Sequence, residues 1–577
     1  MPGRYLVAIL LCTAQTLAVA AVLPAWAEDG STPAADQSAP APAAETATAP
    51  EIGANAAAPS PQPSSPEPST AAAQQPPPAA ETPAAAAPVE PLAAEAPPPT
   101  PVDPVVAIIR SKLADPDLRK GADDKDVAAL EAFYARRTGV PMWVTEMGLS
   151  AKAQAALFEI EQAADWGLDP AAFDLPPADA LPSSLEAQAI AEIKLDLAML
   201  KYARFARGGR FNPQQISKLL DQVPPVRDPD TVLTGVEAAD AVDAYLRALQ
   251  PQHEQFERLR QALLAARGKS GEGAKSADSD PDIKRLIINM ERWRWMPEDL
   301  GAIYVWNNSP EFMLYVVKEG KAIYADKTLV GTLNYATPVF SADMKTIVFN
   351  PDWNAPETVV VENLLPHLQR GNYSILKTHK LSVSYQGKPV DVSRVNWSRS
   401  NVLSYTFSQK GGPSNVLGKA KFLYPNKHVV YMHDTLPYRK KVFKKPVRMI
   451  GHECVRMEKP DRFAQVLLAE DKGWPVSKVK ELWDKGLNSA VAVDRTIPVH
   501  MVYFTTVVDE TGKVETYADV YGLDNKLAVA LFGAAKGFPP PPPESKQPQV
   551  EAANEPRPAS RTPGGSGIMG SLGFLDD

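Results

Sequence analysis

YMHDTLPYRKKVFKKPVRMIGHECVRM, residues 431–457, brings two histidines and a cysteine into one short segment. The alternation of side chains before His433 predicts a strand that ends there, where a loop follows and side chains can line a cleft. Gly451 opens a second tight segment, in which His452 and Cys454 lie two residues apart. A thiol becomes a useful nucleophile when a nearby base or positive charge favours its thiolate. His433 is the candidate base.

A run of basic residues separates the two motifs. Its members are Arg439, Lys440, Lys441, Lys444, Lys445 and Arg448. If this loop folds over the site, its charge favours a thiolate and attracts carboxylates. A solvated face is the alternative.

Other interpretations of the thiol remain open. Two histidines and one thiolate are zinc ligands, but no fourth ligand stands at a usual spacing, and GHEC is not the HExxH helix motif. Cys454 as a buried apolar side chain is the other alternative, although burial explains neither His452 nor Glu453. We expect no metal and no cofactor. The remaining histidines are expected to be surface or structural residues: His253, His367, His379, His428 and His500.

The first 27 residues resemble an export signal. One arginine, a short apolar stretch and a small-residue AWA sequence precede acidic residues. A retained N-terminal anchor is the alternative. Cys12 lies in this segment, so cleavage leaves Cys454 as the single cysteine. In an oxidising compartment, an unpaired thiol is a cross-link, an inert buried group or a reactive one.

Composition divides the rest of the 577-residue chain. Residues 28–104, rich in Ala and Pro, and the tail 538–577 cannot bury enough apolar surface to offset chain entropy, so both are predicted to be disordered. The residues between them are sufficient for two domains. A net charge of −8 argues against nucleic-acid binding. No later apolar run reaches transmembrane length.

Residues 105–267 are predicted to form a helical domain. Apolar residues recur at helical spacing in two segments, which is more typical of a core than of a cofactor site. They are Val127, Leu130, Phe133 and Tyr134, then Ala156, Leu157, Ile160 and Ala163. Gly, Ser and charged residues mark a linker at 268–281.

Residues 282–537 are predicted to begin with a helix and continue as a mainly antiparallel sheet. The helix carries Ile283, Leu286, Ile287, Met290 and Trp293 on its apolar face. Short runs of β-branched and aromatic residues follow, and the KEGK and DETGK sequences predict hairpin turns. The fold class is therefore α+β.

Residues 422–474 resemble the active-site region of the L,D-transpeptidase (YkuD-like) family, in its long periplasmic subgroup. The shared pattern is a strand ending in His-Asp-Thr, followed by a segment like Ser-His-Gly-Cys-x-Arg. The similarity extends to INMERWRWMPEDLGAIYVWNNSPEFMLYVV and VFNPDWNAPETVV upstream. LEAFYARRTGVPMWV is similar to the subgroup's scaffold domain, so the resemblance covers nearly all of the chain predicted to be ordered.

The resemblance implies a reaction on peptidoglycan stem peptides. Cys454 attacks the diaminopimelate carbonyl of a donor stem and forms a thioester, which an acceptor amine resolves. His433 is the general base, oriented by the carbonyl of Asp434. His452 shapes the pocket, and N–H groups of Glu453 and Cys454 face the oxyanion.

The resemblance also assigns three further features. Arg456 and Arg448 brace the loop or meet a substrate carboxylate. Residues from about 357 to 400 form a capping insertion. The protein is expected in the periplasm, with possible partners among cell-wall synthesis proteins.

Two departures from the family pattern bear on activity. Gly451 replaces a serine, and Glu453 replaces the glycine before the nucleophile. A glycine there permits positive φ and close approach, which glutamate resists. The Glu453 carboxylate would also disfavour a thiolate if it pointed inward. The sequence therefore predicts an active transpeptidase, or a hydrolase with the same thioester chemistry; a weak relative that binds peptidoglycan or a partner is the alternative.

Overall fold

The computed structural model describes residues 101–177, 184–269 and 280–534. The predicted export signal and C-terminal tail lie outside these ranges, as do most of the predicted spacer and linker. Within the described residues, no helix is long and apolar enough to cross a membrane.

Fifteen α-helices are found in the described residues, ten of them before residue 295. Six of the longer ones begin after an Asp or Ser whose side chain accepts hydrogen bonds from the first turn, which explains where they start. The helices are α1 Pro104–Lys112, α2 Pro116–Arg119, α3 Asp124–Arg136, α4 Ala151–Glu161, α5 Leu185–Gly208, α6 Pro213–Ile216, α7 Pro229–Ala238, α8 Val242–Ala248, α9 Glu254–Lys269, α10 Pro281–Arg294, α11 Leu365–Gln369, α12 Ser374–Thr378, α13 Pro460–Lys472, α14 Val476–Lys485 and α15 Leu523–Phe532.

The helical domain packs around α5 and contains a buried acidic network. Glu192 accepts hydrogen bonds from the backbone N–H groups of Met142, Trp143 (2.8 Å) and Val144 (2.9 Å). The Tyr134 hydroxyl lies 2.6 Å from Glu192 and 2.9 Å from Asp196. Burial, and then the neighbouring Glu192 charge, raise the pKa of Asp196 well above its usual range. The network attaches residues 142–144, which follow α3, to helix α5.

Replacing Glu192 tests the contribution of this network to stability. Glu192→Ala is expected to lower the free energy of unfolding by about 3–5 kcal/mol, because three buried N–H groups lose their acceptor. Urea unfolding at pH 7 measures the change. The matched control is Glu186→Ala on the same helix, which removes only a half-exposed ion pair with Lys112 and is expected to leave the unfolding midpoint unchanged. Equal effects of the two substitutions would contradict the prediction.

The second domain is built on a closed barrel of eight strands, which confirms the mainly β prediction. The strands follow one another around the barrel in the order β11-β12-β13-β5-β4-β3-β14-β6. Two neighbouring pairs, β12–β13 and β14–β3, are parallel and the others are antiparallel. The sixteen strands of the described residues are β1 Val144–Thr145, β2 Gly148–Leu149, β3 Ile303–Asn308, β4 Met313–Lys318, β5 Lys321–Leu329, β6 Phe340–Phe349, β7 Trp353–Asn354, β8 Ser382–Tyr385, β9 Lys388–Pro389, β10 Tyr405–Gln409, β11 Ala420–Leu423, β12 Met432–His433, β13 Val455–Met457, β14 Ser489–Val502, β15 Thr506–Val508 and β16 Val514–Thr516.

Both predicted hairpin turns are present. Between β4 and β5, Glu319 and Gly320 have φ of 49° and 77°, the positive values of a two-residue type I′ turn. β15 and β16 pair across residues 509–513.

The barrel shares its core with helices from both sides of the predicted linker. Phe256, Leu259 and Leu263 of α9 pack in the same buried cluster as the barrel interior, together with the apolar face of α10. Leu220 also joins this cluster and forms an isolated parallel bridge with Val339. The last part of the helical region is therefore attached to the barrel.

A segment between β6 and β11 forms a third, separate core. The buried residues of this core lie between Trp353 and Leu417. The segment contains a π-helix, Val359–Leu364. A four-stranded sheet in the order β7-β10-β8-β9 completes it. This insertion is wider than the predicted 357–400 range, and the hydroxyl of Tyr335 from the barrel side donates to its Glu362.

Candidate active site

Of the two predicted catalytic residues, His433 ends β12 and Cys454 directly precedes β13. β12 and β13 are parallel, with Met432 opposite Val455 and His433 opposite Arg456. Met432 and Val455 are fully buried in the barrel core. Because side chains alternate along a strand, His433, Arg456 and Cys454 face the other side. That face opens into a cavity.

The cavity has a volume of about 400 Å³ and is lined by both Cys454 and His433. The barrel motifs supply part of its wall and the insertion supplies another, largely apolar part. The other lining residues are Trp353, Asn354, Pro356, Glu357, Thr358, Val359, Val416, Leu417, His428, Val429, Tyr431, His452, Glu453 and Arg456. A cavity of this volume, with apolar walls and a few polar groups, is typical of a ligand-binding site.

His433 is held as a neutral imidazole. Its Nδ1 lies 2.5 Å from the backbone carbonyl oxygen of Asp434, which accepts only from a protonated Nδ1 and leaves Nε2 as the acceptor. Burial, and then the charge of Arg456, lower the pKa of His433 to about 3. The ring is therefore uncharged at neutral pH, with Nε2 as its proton-accepting atom.

Cys454 is protonated in the resting site. Burial raises the pKa of its thiol to about 11; hydrogen bonds from Tyr431 and the charge of Arg456 act in the lowering direction, and the Glu453 carboxylate in the raising one. A protonated thiol must lose its proton as it attacks.

Two glycines permit close packing around this pair. At Gly451, φ is 91°, and a Cβ there would lie 3.0 Å from the Arg456 guanidinium. A serine would be strained at this position and would press on the arginine, which accounts for the glycine. At Gly418, φ is 61° and a Cβ would meet the Asp434 carboxylate. That carboxylate is buried, accepts from the Lys419 N–H and pairs with Lys440.

The turn after β5 fixes the backbone of the nucleophile segment. The Thr337 hydroxyl donates to the Glu453 carbonyl at 2.8 Å, and the Thr332 N–H donates to the Gly451 carbonyl at 3.1 Å. Within the described ranges, the backbone N–H groups of Glu453 and Cys454 donate no hydrogen bond. They remain available to an oxyanion.

Glu453 does not adopt the positive φ that a glycine at this position would permit. It is not among the non-glycine residues with positive φ in the described part of the chain; the positive φ lies at Gly451 instead. Burial is the main cause of the raised pKa of the Cys454 thiol, and the charge of Glu453 adds to it. The same charge contributes a smaller part to the raised pKa of Tyr335, after its hydrogen bond to Glu362, and to that of Tyr521, after burial. The effect of this glutamate is therefore electrostatic.

Glu453→Gln is expected to increase the rate of Cys454 acylation several-fold at pH 7. The amide keeps the side-chain size and removes the negative charge that raises the thiol pKa and opposes a developing oxyanion. Time-resolved intact mass after addition of a carbapenem measures the rate. Glu357→Gln, another lining residue, is the control. An unchanged or slower rate in Glu453→Gln would show that the carboxylate has a role of its own.

His452 and Arg448 have different surroundings. His452 lines the cavity and stacks on Tyr335, with ring centroids 3.9 Å apart. Arg448 is buried outside the cavity lining and donates to the carbonyls of Thr328, Lys445 and Phe312 at 2.9–3.1 Å. Arg448 therefore braces the loop, and Arg456 is the arginine that faces the cavity.

The basic run does not surround the thiol. None of its residues lines the cavity; Lys440, for example, pairs with Asp434 and donates to the Glu458 carbonyl. The interpretation as a cluster that favours a thiolate is wrong, because these side chains bind backbone and carboxylate groups elsewhere or face solvent.

Sequence reasoning missed three residues near the pair. Tyr431 lies two positions before His433 on the same face, which the strand alternation could have shown. Lys421 is directly opposite His433 on β11, with its ammonium 5.6 Å from the Tyr431 ring centroid. His428, expected to be a surface or structural residue, lines the cavity; the turn that places it there is held by long-range contacts.

The fold and site together define a class. A neutral imidazole at the end of one barrel strand and a thiol directly before the neighbouring strand, both lining a cavity that the insertion helps to form, are the elements of a cysteine–histidine acyl-transfer site.

Comparison with known proteins finds two family models that match parts of the chain. Residues 128–263 match the family model for the Scaffold domain, and residues 302–483 match that for the L,D-transpeptidase catalytic domain, YkuD. A Haemophilus influenzae protein named "Putative L,D-transpeptidase" is 31% identical over 248 residues, which are 43% of this chain and 49% of the relative. The chain thus spans about half the length of that curated relative. It carries a scaffold domain and a YkuD L,D-transpeptidase catalytic domain.

Proposed function

We propose that this protein is a periplasmic peptidoglycan L,D-transpeptidase that joins two diaminopimelate residues through a cysteine thioester. The observation that carries the proposal is that His433, at the end of β12, and Cys454, directly before the paired strand β13, line one cavity. The YkuD match supports the reaction class, and the predicted export signal supports the compartment.

The first half of the proposed reaction forms the acyl-enzyme. The Cys454 sulfur attacks the diaminopimelate carbonyl carbon of a donor tetrapeptide stem while Nε2 of His433 accepts the thiol proton. The N–H groups of Glu453 and Cys454 stabilise the oxyanion. As the tetrahedral intermediate collapses, the carbon–nitrogen bond breaks, the His433 proton passes to the leaving amine, and D-alanine departs.

The second half transfers the acyl group. The side-chain amine of an acceptor stem attacks the thioester carbonyl and loses a proton to His433. The carbon–sulfur bond then breaks, the new amide forms, and the proton returns to the Cys454 sulfur. No cofactor enters either half.

Reaction with tetrapeptide stems tests the proposal. The chain lacking residues 1–27 is incubated with donor and acceptor stems, and products are followed by mass spectrometry. A cross-linked dimer with release of D-alanine supports the proposal. Release of D-alanine without a dimer, in the presence of acceptor, supports a hydrolase of the same thioester chemistry.

A catalytically weak binding protein is the second candidate, favoured by the raised thiol pKa and by the Glu453 charge beside it. Incubation with a carbapenem distinguishes it. A folded chain that acquires no adduct on Cys454 and forms no product, yet sediments with purified peptidoglycan, would replace the enzymatic proposal by this one.

A further inference from the structure

A four-residue turn, 426–429, forms one side of the cavity mouth. Its residues His428 and Val429 line the cavity, and the chain runs from Val429 through Val430 and Tyr431 directly into β12 and His433. Another part of the cavity lining is the apolar part of the insertion, including Trp353 and Val359. A ligand bound in this cavity is therefore within reach of Cys454, the insertion and this turn.

Val429 has an unusual conformation and exposure. Its φ is 57°, a region that a β-branched residue rarely occupies, and its exposed fraction is 74%. The Asn426 side chain fixes the turn: its oxygen accepts from the N–H groups of His428 and Val430, both at 3.1 Å. An apolar side chain held in a strained conformation at the rim of a cavity indicates a ligand contact.

The helical region holds the same turn from behind. Asp221, which follows α6, accepts from Nε2 of His428 at 2.8 Å and from Nζ of Lys427 at 2.6 Å. Its own position is fixed because its backbone N–H donates to the Val339 carbonyl at 2.8 Å. These contacts join residues more than 200 positions apart in the chain. One carboxylate thus fixes the two central residues of the turn, Lys427 and His428.

We propose that Val429 is a specificity-determining residue that packs against the aliphatic part of a bound donor stem peptide, and that Asp221 is its positioning residue. This inference rests on the proposed function. The stem offers methylene groups that match the apolar cavity walls, and the turn presents the one exposed aliphatic side chain of residues 426–429. Asp221 holds the turn that carries Val429, although Asp221 itself lies outside residues 302–483, the segment that matches the YkuD model.

Kinetics with donor stems test both roles. Val429→Asn removes the aliphatic contact and introduces a residue that tolerates positive φ. The donor KM is expected to rise about tenfold with kcat nearly unchanged, the usual effect of losing one apolar contact. Asp221→Ala is expected to raise the donor KM in the same direction. Because both act through one turn, the double variant is expected to show less than the product of the two effects.

Matched controls separate contact from stability. Val140→Asn changes another exposed valine, and Asp230→Asn changes another carboxylate of the helical region that forms only a surface ion pair; neither is expected to change KM. Thermal unfolding is measured for all variants. If Val429→Asn raises the unfolding temperature by relieving strain and leaves KM unchanged, the turn is only structural and the inference is overturned.

The outcome is distinguishable from failure of the proposed function. If the unaltered chain forms neither a stem dimer nor a carbapenem adduct, the proposed function fails. If it forms the dimer, and Val429→Asn and Asp221→Ala keep the parent donor KM, only the present inference fails.

Discussion

Cys454→Ser is expected to abolish acyl-enzyme formation, with a rate loss on the order of 10³-fold or more. The serine hydroxyl fits the same space, but it is a far weaker nucleophile beside an imidazole whose own pKa is about 3. Intact mass after incubation with a donor stem or a carbapenem measures the adduct. The parent chain is expected to gain one acyl group and the variant none.

Site mapping makes this result specific. The full sequence has two cysteines, and the chain without residues 1–27 retains only Cys454, so a thiol adduct has one possible location. Circular dichroism and the unfolding temperature of Cys454→Ser show whether the fold is kept. An undiminished adduct on the folded variant would mean that another group is the nucleophile and would remove the basis of the thioester mechanism.

Local sequence patterns led to the prediction that Cys454 and His433 act as a pair, but not to the strand pairing that brings both to one cavity. Alternation along the strand identified His433, and the Gly-x-x-Cys segment identified Cys454. The parallel pairing of β12 with β13 could not be predicted, because the two-residue and three-residue strands are joined by a segment containing a 3-10 helix, Pro437–Lys444. Strands this short carry little periodic signal.

The missed features depend on contacts between distant parts of the chain. Asp221 meets His428 across 207 positions, and no local pattern links an aspartate after a short helix to a turn before a strand. The sequence shows that the run is basic, but it does not show where the side chains point. That depends on which backbone carbonyls accept from Arg448 and Lys440. Local propensity predicts elements; register and loop packing decide which side chains meet.

His433→Asn is expected to slow acylation at pH 7 by about 10²–10⁴-fold, the usual contribution of a general base. Asparagine can still donate to the Asp434 carbonyl, so the segment keeps its anchor while the proton acceptor is lost. The remaining route is attack by the preformed thiolate. With a pKa of about 11, that thiolate is only about one part in 10⁴ of the thiol at pH 7.

The pH dependence separates the two routes. Burial lowers the pKa of His433 to about 3, so its ring is neutral from pH 5 to pH 9 and the parent rate is expected to be flat across that range. In His433→Asn, the rate should rise about tenfold per pH unit, because the thiolate fraction does so below its pKa. His367→Asn, on the insertion and outside the cavity lining, is the control and should follow the parent. A parent profile with an acid limb near pH 6.5 would mean that the imidazole titrates at the ordinary histidine pKa and that burial does not lower it.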